Sequence, residues 1–173
     1  MDVATRVLRI GVIGVGRIGR MHADLLARRI PGATVTRVHD AHSESARDVA
    51  ETLGVVAVSD VEELLTASDV DAVAICTSTD THADLIVAAA EAGKAIFCEK
   101  PVSLDLETVD RALAAVDAAG VPFQIGFNRR FDPAHAAVAE ERPFEPGFEQ
   151  AVQWVTVQDA LLRSATSGHW EDV

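Results

Sequence analysis

Basic residues are scarce and scattered in this chain. Lys and Arg number 15 against 27 Asp and Glu, a formal net charge of -12, and only Arg28-Arg29 and Arg129-Arg130 stand side by side. No positive stripe exists to neutralise the phosphates of a duplex, so no nucleic-acid partner is expected. Long apolar runs are missing as well. Nothing approaches the roughly 20 residues that a bilayer-spanning helix needs, and the first residues lack the charged start and apolar centre of a signal peptide. The expectation is a cytoplasmic protein without a membrane partner. Cysteine is limited to Cys76 and Cys98, far apart and each inside an apolar run of strand length. A disulfide framework or a zinc site has no support, no metal is expected, and both thiols read as reduced core residues. Internal repeats and low-complexity segments are absent too.

What the chain does have is the balance of a folded soluble domain: 49% hydrophobic and 24% charged residues, enough to bury one core. At 173 residues two domains of ordinary size would not fit. Apolar runs of strand length occur at Val7–Ile13, Thr34–His39, Val55–Val58, Ala72–Cys76, Ala95–Cys98 and Phe123–Phe127, with helical periodicity between them. Such βαβ alternation requires a parallel sheet with helices on both faces, because each crossover must return over the sheet before the next strand begins. The fold class is therefore α/β, a doubly wound Rossmann fold with about six strands.

Helix starts are marked by Ser43, by Asp60 with Glu63 as a capping box, and by Ser103 or Asp105; Gly54, Gly93 and Gly120 mark three helix ends. In the first helix Ile18, Met21, Leu25 and Leu26 form a stripe expected to pack on the sheet. After Arg130 the pattern changes: Asp132-Pro133 can open a helix to Glu141, two prolines and a glycine interrupt 142–147, and a last segment from Phe148 to about Ala165 reads as helix, with strand an open alternative at Val155-Thr156-Val157. This divides the chain into a nucleotide-binding domain at 1–131 and a helical extension at 132–173.

The first strand runs directly into Gly14-Val15-Gly16-Arg17-Ile18-Gly19 and then into a helix, the context that makes a G-x-G-x-x-G match informative. Gly14 permits the tight turn, Gly16 lets the backbone approach a pyrophosphate, and Gly19 lets the helix lie close to the strand. The helix N-terminus, with the backbone of Arg17 and Ile18, offers unpaired N–H groups and a positive dipole end. The second strand ends at Asp40, a little over 20 residues on, where a carboxylate can accept from the adenosine ribose hydroxyls and repel a 2′-phosphate. No arginine follows it, so the cofactor expected is NAD rather than NADP. The competing reading makes Asp40 a cap for the loop before the next helix. Thr77, Ser78 and Thr79 fall just past the fourth strand, at the edge where doubly wound folds bind ligands, although such a run before a helix also serves as capping chemistry. His82, near the start of that helix, reads equally as a cofactor contact or a structural residue.

At Phe97-Cys98-Glu99-Lys100-Pro101 the sequence resembles the glucose-fructose oxidoreductase and inositol dehydrogenase family, also called Gfo/Idh/MocA, whose signature is Glu-Lys-Pro. Agreement continues through Gln124-Ile125-Gly126-Phe127-Asn128-Arg129-Arg130-Phe131-Asp132-Pro133, and from Val7 to about Glu140 the chain resembles the nucleotide-binding half of the family's inositol dehydrogenases. The resemblance implies that Lys100 reaches the substrate hydroxyl beside the nicotinamide, that Glu99 and Lys100 lie at the cofactor, and that Pro101 is often cis. A lysine beside a cationic nicotinamide can hold or relay the alcohol proton as hydride leaves; without the resemblance Lys100 reads as an ordinary surface lysine.

In the family a second domain follows, with an Asp and, four residues later, a His after two glycines. This pattern has no match after Asp132, and the segment from about Arg142 to Val173 instead resembles the C-terminus of full-length inositol dehydrogenases. His82, His135 and His169 remain as bases of unspecified role. The leading expectation is an NAD-dependent oxidoreductase of CH–OH groups, weak or altered in activity, that takes a polyol or sugar-like small molecule at the carboxyl edge of the sheet as a homodimer or larger assembly. A non-catalytic cofactor-binding protein, or an enzyme without net redox change, are the alternatives.

Overall fold

The computed structural model describes residues 7–131. Six strands and five helices alternate along it: β1 (Leu8–Ile13), α1 (Arg17–Arg28), β2 (Ala33–His39), α2 (Ser43–Leu53), β3 (Val56–Val58), α3 (Val61–Thr66), β4 (Ala72–Ile75), α4 (Thr79–Glu91), β5 (Ala95–Glu99), α5 (Leu106–Ala119) and β6 (Phe123–Gly126), followed by a 3₁₀ turn at Asn128–Phe131. The expected six strands all form, within one or two residues of the sequence reading. The helices expected beyond Asp132, and the division at that point, lie outside the described residues.

All strands are parallel, in the order β3-β2-β1-β4-β5-β6. This is the order of a dinucleotide-binding doubly wound sheet, whose direction of growth reverses between β1 and β4 and opens a crevice beyond their carboxyl ends. Successive side chains of a strand point to opposite faces, and the core is split accordingly. Val12, Val38 and Ala74 face α1 and α2, where Ala23, Leu26, Ala46 and Val49 meet them. Their neighbours Ile13, Val73 and Ile75, with Ile96 and Cys98 of β5, pack under Leu64, Leu65, Ile86, Ala89, Ala112 and Val116 of α3, α4 and α5. Cys98 is buried, Cys76 half-buried, and both are free thiols. Burial raises both; Cys98 is pushed up to about 12, with the Glu99 charge adding to the effect.

Of the stripe expected on α1, only Leu26 is buried in the core. The buried residues are Gly19, His22, Ala23 and Leu26; Ile18 and Leu25 are half-buried and Met21 is exposed. At Gly19 the helix lies too close to the turn for any side chain: a β-carbon there would stand 1.8 Å from the Gly14 carbonyl oxygen. Two cap details also differ. Asp60 accepts from the Glu62 N–H (2.8 Å) while Glu63 reaches towards Arg37 at 3.8 Å, so no reciprocal box forms. At α2 the capping position belongs to His42, with Ser43 the first helical residue. Asp105 caps α5, accepting from the Thr108 N–H (2.8 Å), and Gly54, Gly93 and Gly120 follow α2, α4 and α5 as expected.

At the opposite, amino-terminal edge the strands are tied by ion pairs and by Lys94. Arg9 pairs with Asp71 through two bonds of 2.7 and 2.9 Å, Arg37 with Asp69 at 2.8 Å, and Lys94 Nζ donates to the carbonyls of Ala67 and Val70. Among the described residues, no helix is long and apolar enough to cross a membrane, and no group of three or more His, Cys, Asp or Glu could hold a metal ion.

Candidate functional site

The carboxyl edge of the sheet gathers four loops: 14–16 after β1, 40–42 after β2, 76–78 after β4 and 100–105 after β5. The first is held from several sides. Gly14 has φ +85, a left-handed turn closed to other residues, and its N–H donates to the His39 carbonyl (2.8 Å). A β-carbon there would also meet the Thr77 backbone nitrogen at 2.7 Å, so the loops after β1 and β4 touch at this glycine. The next residue is held at both ends: the Val15 N–H donates to Asp40 Oδ2 (2.8 Å) and the Val15 carbonyl accepts from Arg20 Nε (3.1 Å). Arg20 in turn pairs with Asp48 of α2.

At Gly16 the surroundings change. No atom lies within 4 Å of the position a β-carbon would take, and Gly16, the capping residue of α1, brings no side-chain cap. The first N–H groups of a helix have no partner within it. Open space above Gly16, at an uncapped positive helix end, fits a pyrophosphate. Arg17 is exposed and Ile18 half-buried at the rim of this space.

Asp40 sits half-exposed at the end of β2, one oxygen on Val15 and the other accepting from the His42 N–H (2.8 Å). It thus makes the local loop contacts of the capping reading. A carboxylate has about four acceptor positions, so two remain for ribose hydroxyls. Thr77, Ser78 and Thr79 lead into α4, with Ser78 as its capping residue and no side-chain cap bond. Thr77 Oγ1 accepts from Thr81 Oγ1 (2.7 Å). The Ser78 hydroxyl, ahead of the local backbone, holds the Asp80 carboxyl below its ordinary value.

His82 is 2% exposed. Its Nδ1 lies 2.8 Å from the Pro101 carbonyl oxygen and its Nε2 3.1 Å from that of Thr77, so both ring nitrogens are spent on backbone. Lys100 is exposed just past β5, joined to Pro101 by a cis peptide bond. Its N–H donates to Glu99 Oε2 at 3.3 Å.

Glu99 points inward. Its Oε1 lies 2.9 Å from Nε2 of His22, a buried residue of α1 whose ring packs on Phe97 at 5.2 Å. Burial pushes the Glu99 carboxyl up, but the hydrogen bond and charge of His22, together with Lys100, outweigh it and hold the group below its ordinary value. A side chain at Gly126 would crowd this carboxylate, with Phe97 Cζ at 3.0 Å and Glu99 Oε1 at 3.4 Å. His22 and Arg20 escaped the sequence reading because each lies on a helix face that periodicity alone assigns to packing or solvent.

The site residues thus fall into two groups. Gly14, Gly16, Arg17, Ile18, Gly19, Asp40, Thr77, Ser78, Thr79 and Lys100 lie in or beside the loops at the carboxyl edge, with Gly19 buried and Lys100 exposed, whereas His82 and Glu99 turn their polar atoms into the protein.

This sheet order with a glycine-rich turn at its switch point defines a dinucleotide-binding domain. The family model described as an oxidoreductase family with an NAD-binding Rossmann fold, GFO_IDH_MocA, matches residues 8–127, and the chain belongs to that family, with NAD as the cofactor of this domain. It is 43% identical over 150 residues to the inositol 2-dehydrogenase of Rhizobium meliloti (strain 1021), a match covering 87% of this chain and 44% of that protein. To the myo-inositol 2-dehydrogenase of Thermotoga maritima it is 47% identical over 126 residues, 72% of this chain and 37% of that protein. Among solved structures, scyllo-inositol dehydrogenase from Lactobacillus casei with bound cofactor NAD(H) and scyllo-inositol superposes with a TM-score of 0.73 at 30% identity, over 78% of this chain and 42% of that one. The chain spans less than half the length of these relatives.

Proposed function

We propose that this domain holds NAD across the β1/β4 crevice and serves hydride transfer from the hydroxyl-bearing carbon of a polyol or sugar-like substrate. The observation that carries the reading is the open space over Gly16 at the uncapped end of α1, with Asp40 one strand away. The N–H groups of the first turn of α1, including Arg17, Ile18 and Gly19, take the pyrophosphate, Asp40 takes the adenosine ribose, and Thr77, Ser78 and Thr79 border the path to the nicotinamide. When bound, NAD supplies the hydride acceptor. Lys100, exposed just past β5, would hydrogen-bond the substrate hydroxyl beside the nicotinamide and steady the charge on its oxygen as the proton leaves. The inositol dehydrogenase names of the relatives support a cyclic polyol as the substrate class.

A steady-state NADH assay with inositol on the wild type and Lys100→Ala tests the role given to Lys100. The expected result is turnover that falls by at least about 10²-fold in the variant while NAD affinity holds. Equal rates in both proteins would remove Lys100 from the chemistry.

Exposed apolar side chains at Leu104, Leu106 and Phe127, which are 91%, 80% and 55% exposed, support a homodimer or larger assembly. Light scattering that finds only monomer at tens of micromolar would refute the assembly.

A further inference from the structure

His82 is the most deeply buried polar side chain among the described residues near the crevice, 2% exposed with both ring nitrogens on backbone. Its two partners are both carbonyl oxygens, from two different loops: Pro101, directly after Lys100, and Thr77, two residues past the end of β4. Carbonyl oxygens only accept, so the ring is the donor in either contact; a neutral ring donates to one of them at a time and a charged ring to both. The β4–β5 ladder ends at the pair Ile75–Cys98, and past that point His82 spans the gap between the two loops. On the other side, Thr77 abuts Gly14, whose added β-carbon would meet the Thr77 nitrogen at 2.7 Å. The contacts thus form a continuous line: the phosphate-binding turn at Gly14, the Thr77 backbone, the His82 ring, the Pro101 carbonyl and Lys100.

We propose that His82 is a positioning residue that fixes the placement of Lys100 relative to the dinucleotide-binding loops, without touching cofactor or substrate itself. The inference rests on the reading of Lys100 as the group beside the nicotinamide. It assigns His82 an effect on the lysine end of the site and little effect on NAD affinity, which the Gly14–Gly19 turn and Asp40 supply.

The chain has only two lysines, Lys94 and Lys100, so protein labelled with ¹³C-lysine gives two sets of ε-methylene signals, assigned with Lys100→Arg. NAD is titrated into the wild type, His82→Ala, His82→Asn and His82→Gln, with affinity measured separately by calorimetry. The asparagine amide nitrogen stands near the ring Nδ1 and can keep the bond to Pro101, whereas the glutamine amide stands near Nε2 and can keep only the bond to Thr77. The expected outcome is a saturable NAD-induced shift of the Lys100 signal in the wild type, largely retained in His82→Asn, and reduced at least about fivefold in His82→Gln and His82→Ala, with NAD affinity within about threefold throughout. The asparagine and glutamine variants carry the test if His82→Ala does not fold. An unchanged Lys100 response in His82→Gln, or a loss of NAD affinity parallel to the loss of response, overturns the positioning role and leaves the reading of Lys100 standing. A wild-type Lys100 signal indifferent to saturating NAD overturns the reading of Lys100 itself, and the positioning role with it.

Discussion

Two glycines of the same turn should respond to alanine in opposite ways. At Gly19 a β-carbon would lie 1.8 Å from the Gly14 carbonyl oxygen and 3.2 Å from Cys76 Cβ. Carbon and oxygen without a bond between them approach to about 3.3 Å, so α1 would have to move off the strand by roughly 1.5 Å against backbone atoms that cannot rotate away. Overpacking of this kind costs about 1–3 kcal/mol, and the rigid neighbour places Gly19→Ala at the upper end; the better helix propensity of alanine returns up to about 1 kcal/mol. A net loss of about 2 kcal/mol lowers Tm by roughly 4–8 °C for a chain of this size. Gly16 has φ -64, which any residue adopts, and an added methyl meets nothing within 4 Å. There alanine is a poorer cap than glycine by about 1 kcal/mol, and the less flexible unfolded chain offsets about 0.4–1 kcal/mol of that, so Tm should stay within about 2 °C. The methyl instead occupies the space given to the pyrophosphate, and NAD affinity should fall at least about tenfold, or 1.4 kcal/mol. Calorimetric melting and NAD titration of both variants read these effects. A Gly16→Ala protein that binds NAD like the wild type would refute the cradle, and a Gly19→Ala protein that melts like the wild type would refute the close helix approach.

Three further outcomes follow from the same geometry. NAD should bind at least about tenfold more tightly than NADP, because a 2′-phosphate would face the Asp40 carboxylate; equal affinities by calorimetry, or an Asp40→Ala variant with unaltered NAD affinity, would contradict this. Neither cysteine should react with a thiol reagent at pH 8 in the folded protein, since Cys98 is buried with its thiol pushed up to about 12 and the Cys76 thiol is raised by burial too; rapid labelling of a thiol before denaturation would be the opposing result. The Glu99 carboxyl lies below its ordinary value in the folded state, so its share of stability is present above the usual glutamate range, about 4.3, and is lost as pH falls through the depressed value. In His22→Ala burial remains and the main lowering partner is gone, so urea melts between pH 7 and 3 should show a smaller loss of stability on acidification than in the wild type, and an equal loss would argue against the pair.

Strand positions were legible in the sequence because each is a short β-branched or alanine-rich run bounded by turn residues, and one parallel order satisfies the crossovers and the glycine-rich turn together. Two glycines of the turn were legible as well: Gly14 makes the tight turn and Gly19 the close helix approach that their spacing implies, while Gly16 leaves open space. The face of α1 was not. An apolar stripe of Ile18, Met21, Leu25 and Leu26 obeys helical periodicity, but only Leu26 of it is buried in the core, and His22 is drawn inward by Glu99, a partner 77 positions away in sequence. The same limit applies to His82, whose carbonyl partners are contributed by two loops that only the folded sheet brings together. Glu99 and Lys100 are adjacent in one motif, yet strand alternation sends one side chain inward and leaves the other exposed.

NAD held at the carboxyl edge of the sheet would be read amide by amide in a titration of ¹⁵N-labelled protein. Saturable shifts should concentrate at Gly14 to Gly19, Asp40, Thr77 to Thr79 and Lys100, with the opposite edge at Asp69, Asp71 and Lys94 unaffected; no saturable shift at millimolar NAD, or shifts centred on that opposite edge, would show that the dinucleotide does not bind there.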